Sequence, residues 1–149
     1  MFKHILLATD GSTLSDQAVQ PAIWLANALG AKITAVHVVG EYHLHLHYEG
    51  FAMPNIPALK MRFEEEEAAR ADKILGAVKK AAADAGVACF SAVLTGDVPY
   101  ERIIEQAEKS NCDVIVMASH SRQGLQSILL GSETQKVLTH SKIPVLVCR

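Results

Sequence analysis

Apolar residues along this chain come in short blocks separated by longer stretches of mixed character. The first block, Ile5-Leu6-Leu7-Ala8, stops at Thr9-Asp10-Gly11-Ser12. A short continuous apolar block bounded by turn formers predicts a strand buried on both faces, followed by a turn. Ala18, Ala22, Leu25, Ala26 and Leu29 then recur at helical spacing. They predict a helix from about Ser15 to Leu29, with Gly30 as its stop. Pro21 falls inside that helix, where it removes one backbone donor and is expected to kink it. Ile33 to Val39 is rich in β-branched residues and predicts the second strand.

From Gly40 to Pro57 the period is lost among aromatics, prolines and alternating histidines, which predicts a long connection. A helix is predicted from about Ala58 to Ala85. Ile74, Val78, Ala81 and Ala85 form its buried stripe, and the acidic run Glu64 to Glu67 forms a solvated face near its start. Val87 to Leu94 reads as the third strand. Asp97 is placed as the N-cap of the next helix, with Pro99 in the first turn and Ile103, Ile104 and Ala107 on one face. Asp113 to Met117 is the fourth strand, Ser119 to Leu130 a polar loop, Glu133 to His140 a helix, and Pro144 to Cys148 the last strand. Short apolar strands alternating with helices imply an α/β fold, a parallel sheet with helices on both faces joined by right-handed crossovers. With no internal repeat, residues 1–149 read as one domain with an irregular insertion at about 40–57.

Composition narrows the classes. A chain of 149 residues, 50% hydrophobic and 20% charged, suits one globular domain with a real core. Fourteen basic residues against sixteen acidic ones leave a net charge of −2, so a nucleic-acid partner is not expected. Cys89, Cys112 and Cys148 lie in or beside apolar runs without a pairing pattern. They read as small buried hydrophobes in a reducing compartment. No signal-peptide pattern occurs, and no apolar run approaches the ~18 residues of a membrane span. A cytoplasmic protein without membrane contact is expected.

In open parallel sheets, ligands sit beyond the C-terminal strand ends where strand order reverses. Two such ends carry polar chemistry: Thr9-Asp10-Gly11-Ser12, and Met117-Ala118-Ser119-His120-Ser121 leading to Leu130-Gly131-Ser132. Ser132 and Gln135 have capping-box spacing, so Ser132 either caps its helix or sits where the helix amides hold a phosphate. Asp10 either receives ribose hydroxyls or closes the turn. Signatures of enzymes are absent: no P-loop, no Gly-x-Gly-x-x-Gly after the first strand, no Gly-x-Ser-x-Gly elbow. Ser119, His120 and Ser121 are chain neighbours, and adjacent side chains seldom point at each other; with no orienting acid apparent, no catalytic residue is assigned. At strand spacing His43, His45 and His47 share one face, and three imidazoles can hold Zn²⁺. The alternative, adopted here, is an exposed loop without metal, because such spacing gives a ladder and not a tetrahedron.

Several pieces carry a resemblance together: Ile5 to Ser12, His37-Val38, Gly96-Asp97 with Pro99, Asp113 to His120, Leu129 to Ser132, and Lys142 to Val147. Over essentially its whole length the chain resembles the universal stress protein family. The resemblance implies a five-stranded parallel sheet of order 3-2-1-4-5 with an architecture like that of the adenine nucleotide alpha hydrolases. It also implies a homodimer through the C-terminal strand, which that order leaves at an edge. ATP-binding members carry Gly, two residues, Gly, nine residues, then Gly and Ser or Thr. Gly131-Ser132 fill the last part, while Ala118 and Ser121 stand where the two earlier glycines belong. The family's strand-one aspartate matches Asp10, and its backbone contact to adenine matches the region of Val38. The resemblance thus implies a site for ATP or AMP, with Mg²⁺, formed by Thr9, Asp10, Val38, Met117, Ala118, His120, Ser121, Gly131, Ser132 and Thr134. Two readings follow: a nucleotide-binding stress protein, or a nucleotide-free dimeric interaction protein with a degenerate motif.

Overall fold

The computed structural model of the chain describes residues 1–43, 55–119 and 131–149. The elements run β1 (His4–Ala8), α1 (Asp16–Leu29), β2 (Lys32–Val39), α2 (Ile56–Asp84), β3 (Cys89–Thr95), α3 (Pro99–Lys109), β4 (Val114–Ala118), α4 (Ser132–His140) and β5 (Val145–Cys148). All pairings are parallel and the sheet order is β3-β2-β1-β4-β5. This is the order the resemblance implies, and it places the reversal between β1 and β4.

Alternation along the strands decides which helix goes where. Ile5, Leu7, Ile33, Ala35, Val114 and Val116 face α1 and α2, while Leu6, Val36, Ile115 and Met117 face α3 and α4. Every residue of β1 and β4 is buried, which is why their sequences read as unbroken apolar blocks. Ile5, Leu6, Leu7, Ile33 and Ile115 are wholly buried, each contributing roughly 1.5–3 kcal/mol of transfer free energy. β5 lies at the sheet edge as expected, with Leu146 exposed. Among the described residues no helix is long and apolar enough to cross a membrane.

Several local expectations are corrected. Asp97 does not cap α3: the N-cap is Val98, which makes no side-chain bond. The Asp97 carboxylate instead accepts from the Glu41 N–H at 3.0 Å and meets His43 Nε2 at 2.5 Å. Ser132 is not an N-cap either. It is the first residue of α4, after Gly131, whose carbonyl accepts the Gln135 N–H at 2.9 Å, so no capping box forms. α2 begins at Ile56, capped by the Asn55 side chain with Pro57 in its first turn, so the connection is shorter than the sequence suggests. Its buried stripe is Ala71, Leu75, Val78 and Ala82, with Ile74, Ala81 and Ala85 on the flank. α1 runs on through Pro21 to Leu29. Cys112 is buried, with its thiol pushed up to about 11 by desolvation, whereas Cys89 and Cys148 are only partly covered.

Candidate functional site

The C-terminal edge of the sheet gathers two segments of different construction. After β1, the Thr9 N–H donates to the Val36 carbonyl at 3.0 Å, carrying the β1–β2 pairing one residue past the strand. The chain then turns over its own hydroxyls. Ser15 Oγ donates to the Ser12 carbonyl at 2.9 Å, so its single proton is committed. The Thr9 hydroxyl therefore donates to Ser15 Oγ (2.9 Å) and accepts the Gly11 N–H (3.2 Å). Asp10 Oδ1 accepts the Ser12 N–H at 2.9 Å, and Ser12 Oγ accepts the Ser15 N–H at 3.1 Å. Asp10 itself stays exposed, closing the turn while presenting its carboxylate at the edge.

Gly11 is required here on two counts. Its φ is +75°, and a Cβ would lie 2.6 Å from Ile74 Cδ1, so the turn docks closely on α2. A residue to which the sequence assigned no role beyond its part in the family resemblance anchors the turn from below. His37, buried at 5% exposure near the end of β2, reaches the Thr9 carbonyl through Nδ1 at 2.9 Å. Because a carbonyl only accepts, Nδ1 carries the proton. The available signal was a lone histidine inside a β-branched strand.

The second segment ends β4. Ala118 is a buried strand residue, and its carbonyl accepts from Thr134 Oγ1 at 3.0 Å, fixing the first turn of α4 over the strand end. Ser119 N–H bonds the Cys148 carbonyl at 2.8 Å. Gly131 is the N-cap residue of α4, with φ −55° and ψ 144°, and has no side chain to offer, so among the described residues no cap side chain takes the first-turn amides at the positive end of the helix.

The ladder brings these pieces together. Pairing of Leu7 with Val116 sets Thr9 level with Ala118, and pairing of Ala8 with Val36 sets Asp10 level with Val38. Met117 and Val38 belong to the α3–α4 side of the core. Thr9, Asp10, Val38, Met117, Ala118, Gly131, Ser132 and Thr134 thus share one edge at the reversal point. His120 and Ser121 lie outside the described residues, as do His45 and His47. His43 is described and pairs with Asp97, and the described residues contain no group of three side chains suited to a metal. Thr9 and Asp10 also line a cleft of about 560 Å³ between α1 and α2, with Arg70 and Lys73 on its far wall.

With this geometry in place, likeness to known proteins becomes informative. The family model for the universal stress protein family matches residues 1–149. A universal stress protein of Thermus aquaticus is 36% identical over 149 residues, covering all of both chains. The solved structure of a Methanocaldococcus jannaschii universal stress protein superposes with a TM-score of 0.81 at 27% identity, covering 99% of this chain and 96% of that one. A universal stress protein solved in complex with cAMP superposes with a TM-score of 0.66 at 24% identity, covering 99% and 97%.

Proposed function

The chain belongs to the universal stress protein family, and from that premise we propose that it binds an adenine nucleotide, ATP or AMP, at the reversal point of its sheet. The observation that carries the reading is the N-terminus of α4, which has no N-cap side-chain bond, tied by Thr134 to the end of β4 and set on the same edge as the Asp10 turn. Gly131 and Ser132 would place helix amides on the phosphates. Asp10 would accept ribose hydroxyls, and the Val38 backbone would meet the adenine. A universal stress protein of this fold at 24% identity was solved in complex with cAMP, which supports the reading.

The departure at Ala118 costs little. Among the described residues Asn111 is the one non-glycine with positive φ, so the Ala118 methyl sits on ordinary strand backbone. Ser121 is the departure with consequences: a side chain in place of that motif glycine would either limit close approach of the phosphates or donate a hydrogen bond to them. Mg²⁺ would be held by the phosphates and water, since the described residues form no cage for it. The role is binding, not catalysis, in a stress response, in a cytoplasmic homodimer that covers the β5 edge. Light scattering at micromolar concentration checks the dimer.

Calorimetry with ATP and Mg²⁺ on the wild type and Ser121→Gly tests the site. Measurable binding that Ser121→Gly strengthens supports it. Tight wild-type binding weakened by Ser121→Gly refutes the steric account of Ser121. Binding by neither protein favours the second reading, a nucleotide-free dimer whose motif has degenerated at Ala118 and Ser121.

A further inference from the structure

α3 and α4 begin side by side, and neither is capped by its own N-cap side chain. The cap for α3 comes from α4. Glu133 Oε2 accepts the Tyr100 N–H, in the first turn of α3, at 3.0 Å. The other oxygen, Oε1, takes Lys136 Nζ at 2.8 Å, and that ammonium lies 5.5 Å from the centre of the Tyr100 ring. Both carboxylate oxygens are therefore engaged by groups other than the first-turn amides of α4. The pairing also holds the Lys136 ammonium above its ordinary pKa.

The position of Glu133 makes this matter. It sits in the first turn of α4, between Ser132 and Thr134. A carboxylate there satisfies the helix dipole, and in doing so it competes with and repels any anion brought to the same end. A phosphate-binding helix start is thus poorly served by a free glutamate in its first turn. Here the charge is turned toward the positive start of α3 and neutralised by Lys136.

We propose that Glu133 is a positioning residue of the phosphate subsite, held on the α3 side by Tyr100 N–H and Lys136 so that the α4 amides remain open to a polyphosphate. The inference rests on the nucleotide reading above. It implies that affinity depends on how many phosphate charges the ligand brings, and that Lys136 acts only through Glu133.

The test is calorimetry with ATP, AMP, adenosine and inorganic tripolyphosphate on wild type, Lys136→Met, Glu133→Gln and the double variant. Lys136→Met frees the carboxylate and should weaken ATP and tripolyphosphate roughly three- to tenfold, the size of a charge effect at a helix terminus. AMP should lose less and adenosine nothing. Glu133→Gln still accepts from Tyr100 N–H, so α3 stays capped. In the double variant it should return ATP and tripolyphosphate to about the wild-type level, since the charge that Lys136 neutralises is gone. The penalty of Lys136→Met should shrink in high salt when Glu133 is swung toward solvent. Equal weakening of adenosine and ATP, or no rescue by Glu133→Gln, overturns the proposal. Tripolyphosphate binding with this pattern but no nucleotide binding keeps the guarded anion site and rejects the nucleotide reading. Adenosine binding without tripolyphosphate binding does the reverse, and binding of neither rejects both.

Discussion

The two segments that meet at the C-terminal edge of the sheet solve opposite problems. Residues 9–16 bond chiefly to one another: the Thr9 and Ser15 hydroxyls, the Asp10 carboxylate and the main-chain amides of Gly11, Ser12 and Ser15 close a local network, with Thr9 and Ser15 buried and His37 beneath. The start of α4 does the contrary. Gly131 supplies no cap, and the nearest carboxylate, Glu133, is turned to a neighbouring helix. A satisfied turn is rigid and costly to disturb, whereas an unsatisfied helix end is cheap to alter and available to a ligand. Substitutions in the first segment should therefore register in stability. In the second they should register in binding.

The largest effect is expected at Gly11. Gly11→Ala forces a Cβ into a left-handed backbone at φ +75° and to within 2.6 Å of Ile74 Cδ1. The left-handed conformation costs about 1–2 kcal/mol and the overlap roughly 1–3 kcal/mol, so a loss of about 2–4 kcal/mol is expected in urea unfolding. Ile74→Ala in the same background should recover the steric part and leave the backbone part, which separates the two. An unchanged urea midpoint for Gly11→Ala would show that the turn yields easily and would erase the contrast.

A smaller effect, of opposite sign, is expected at Gly131. Gly131→Asp gives α4 the side-chain cap it lacks, which relative to glycine stabilises a helix end by only about 0.3 kcal/mol, with a similar contribution from the charge at the helix start, and so raises the melting temperature by about one to two degrees. The same carboxylate occupies the amides that a phosphate would use, so ATP affinity should fall about tenfold or more. A gain in melting temperature with undiminished ATP affinity would place the phosphates elsewhere.

Much of this architecture is legible in the sequence because a strand covered on both faces reads as an apolar block, and β1, β2 and β4 are such strands. The strand order comes from the family resemblance, since no periodicity in the chain encodes which strand lies beside which. Capping is where local reading fails. Asp97 and Ser132 have the right residue types, yet neither caps: Glu41 and His43 claim Asp97 while Glu133 from α4 takes the place of a local cap on α3, and Ser132 falls one residue inside α4, after Gly131. The anchoring role of His37 is not legible because its partner, the Thr9 carbonyl, lies 28 residues away in sequence and a histidine in a β-branched run resembles core. The α2 stripe is misread by a residue because alanines on both faces blur its edge.

The opposite edge of the sheet supplies the control, and there the smallest effect is expected. His4 is buried at the start of β1, with Nε2 2.8 Å from Thr34 Oγ1 and its main-chain N–H on Asp113 Oδ1 at 3.2 Å. Burial first, and then the Lys32 charge, lower its pKa from 6.5, against the opposing pull of the Ser110 carbonyl and Asp113. A histidine whose folded pKa is depressed binds its proton more readily in the unfolded chain. Its contribution is therefore fully present above about pH 6.5 and is lost as pH falls through the window between that value and the lower folded pKa. One such group changes stability by at most about 1.4 kcal/mol per pH unit. His4→Gln keeps a polar group facing Thr34 and does not titrate, so its stability should fall less steeply than wild type between pH 6.5 and the acid range. Chemical unfolding of both proteins across that range measures the difference in slope, which cancels the contribution of the carboxylates common to both. ATP affinity at neutral pH should be the same in the two proteins, because His4 lies at the far end of β1 from Thr9 and Asp10. Equal slopes would mean that the buried imidazole is free to take its proton in the folded state. Altered affinity would mean that the two edges communicate through β1, and that stability and binding are not divided between segments as the C-terminal edge suggests.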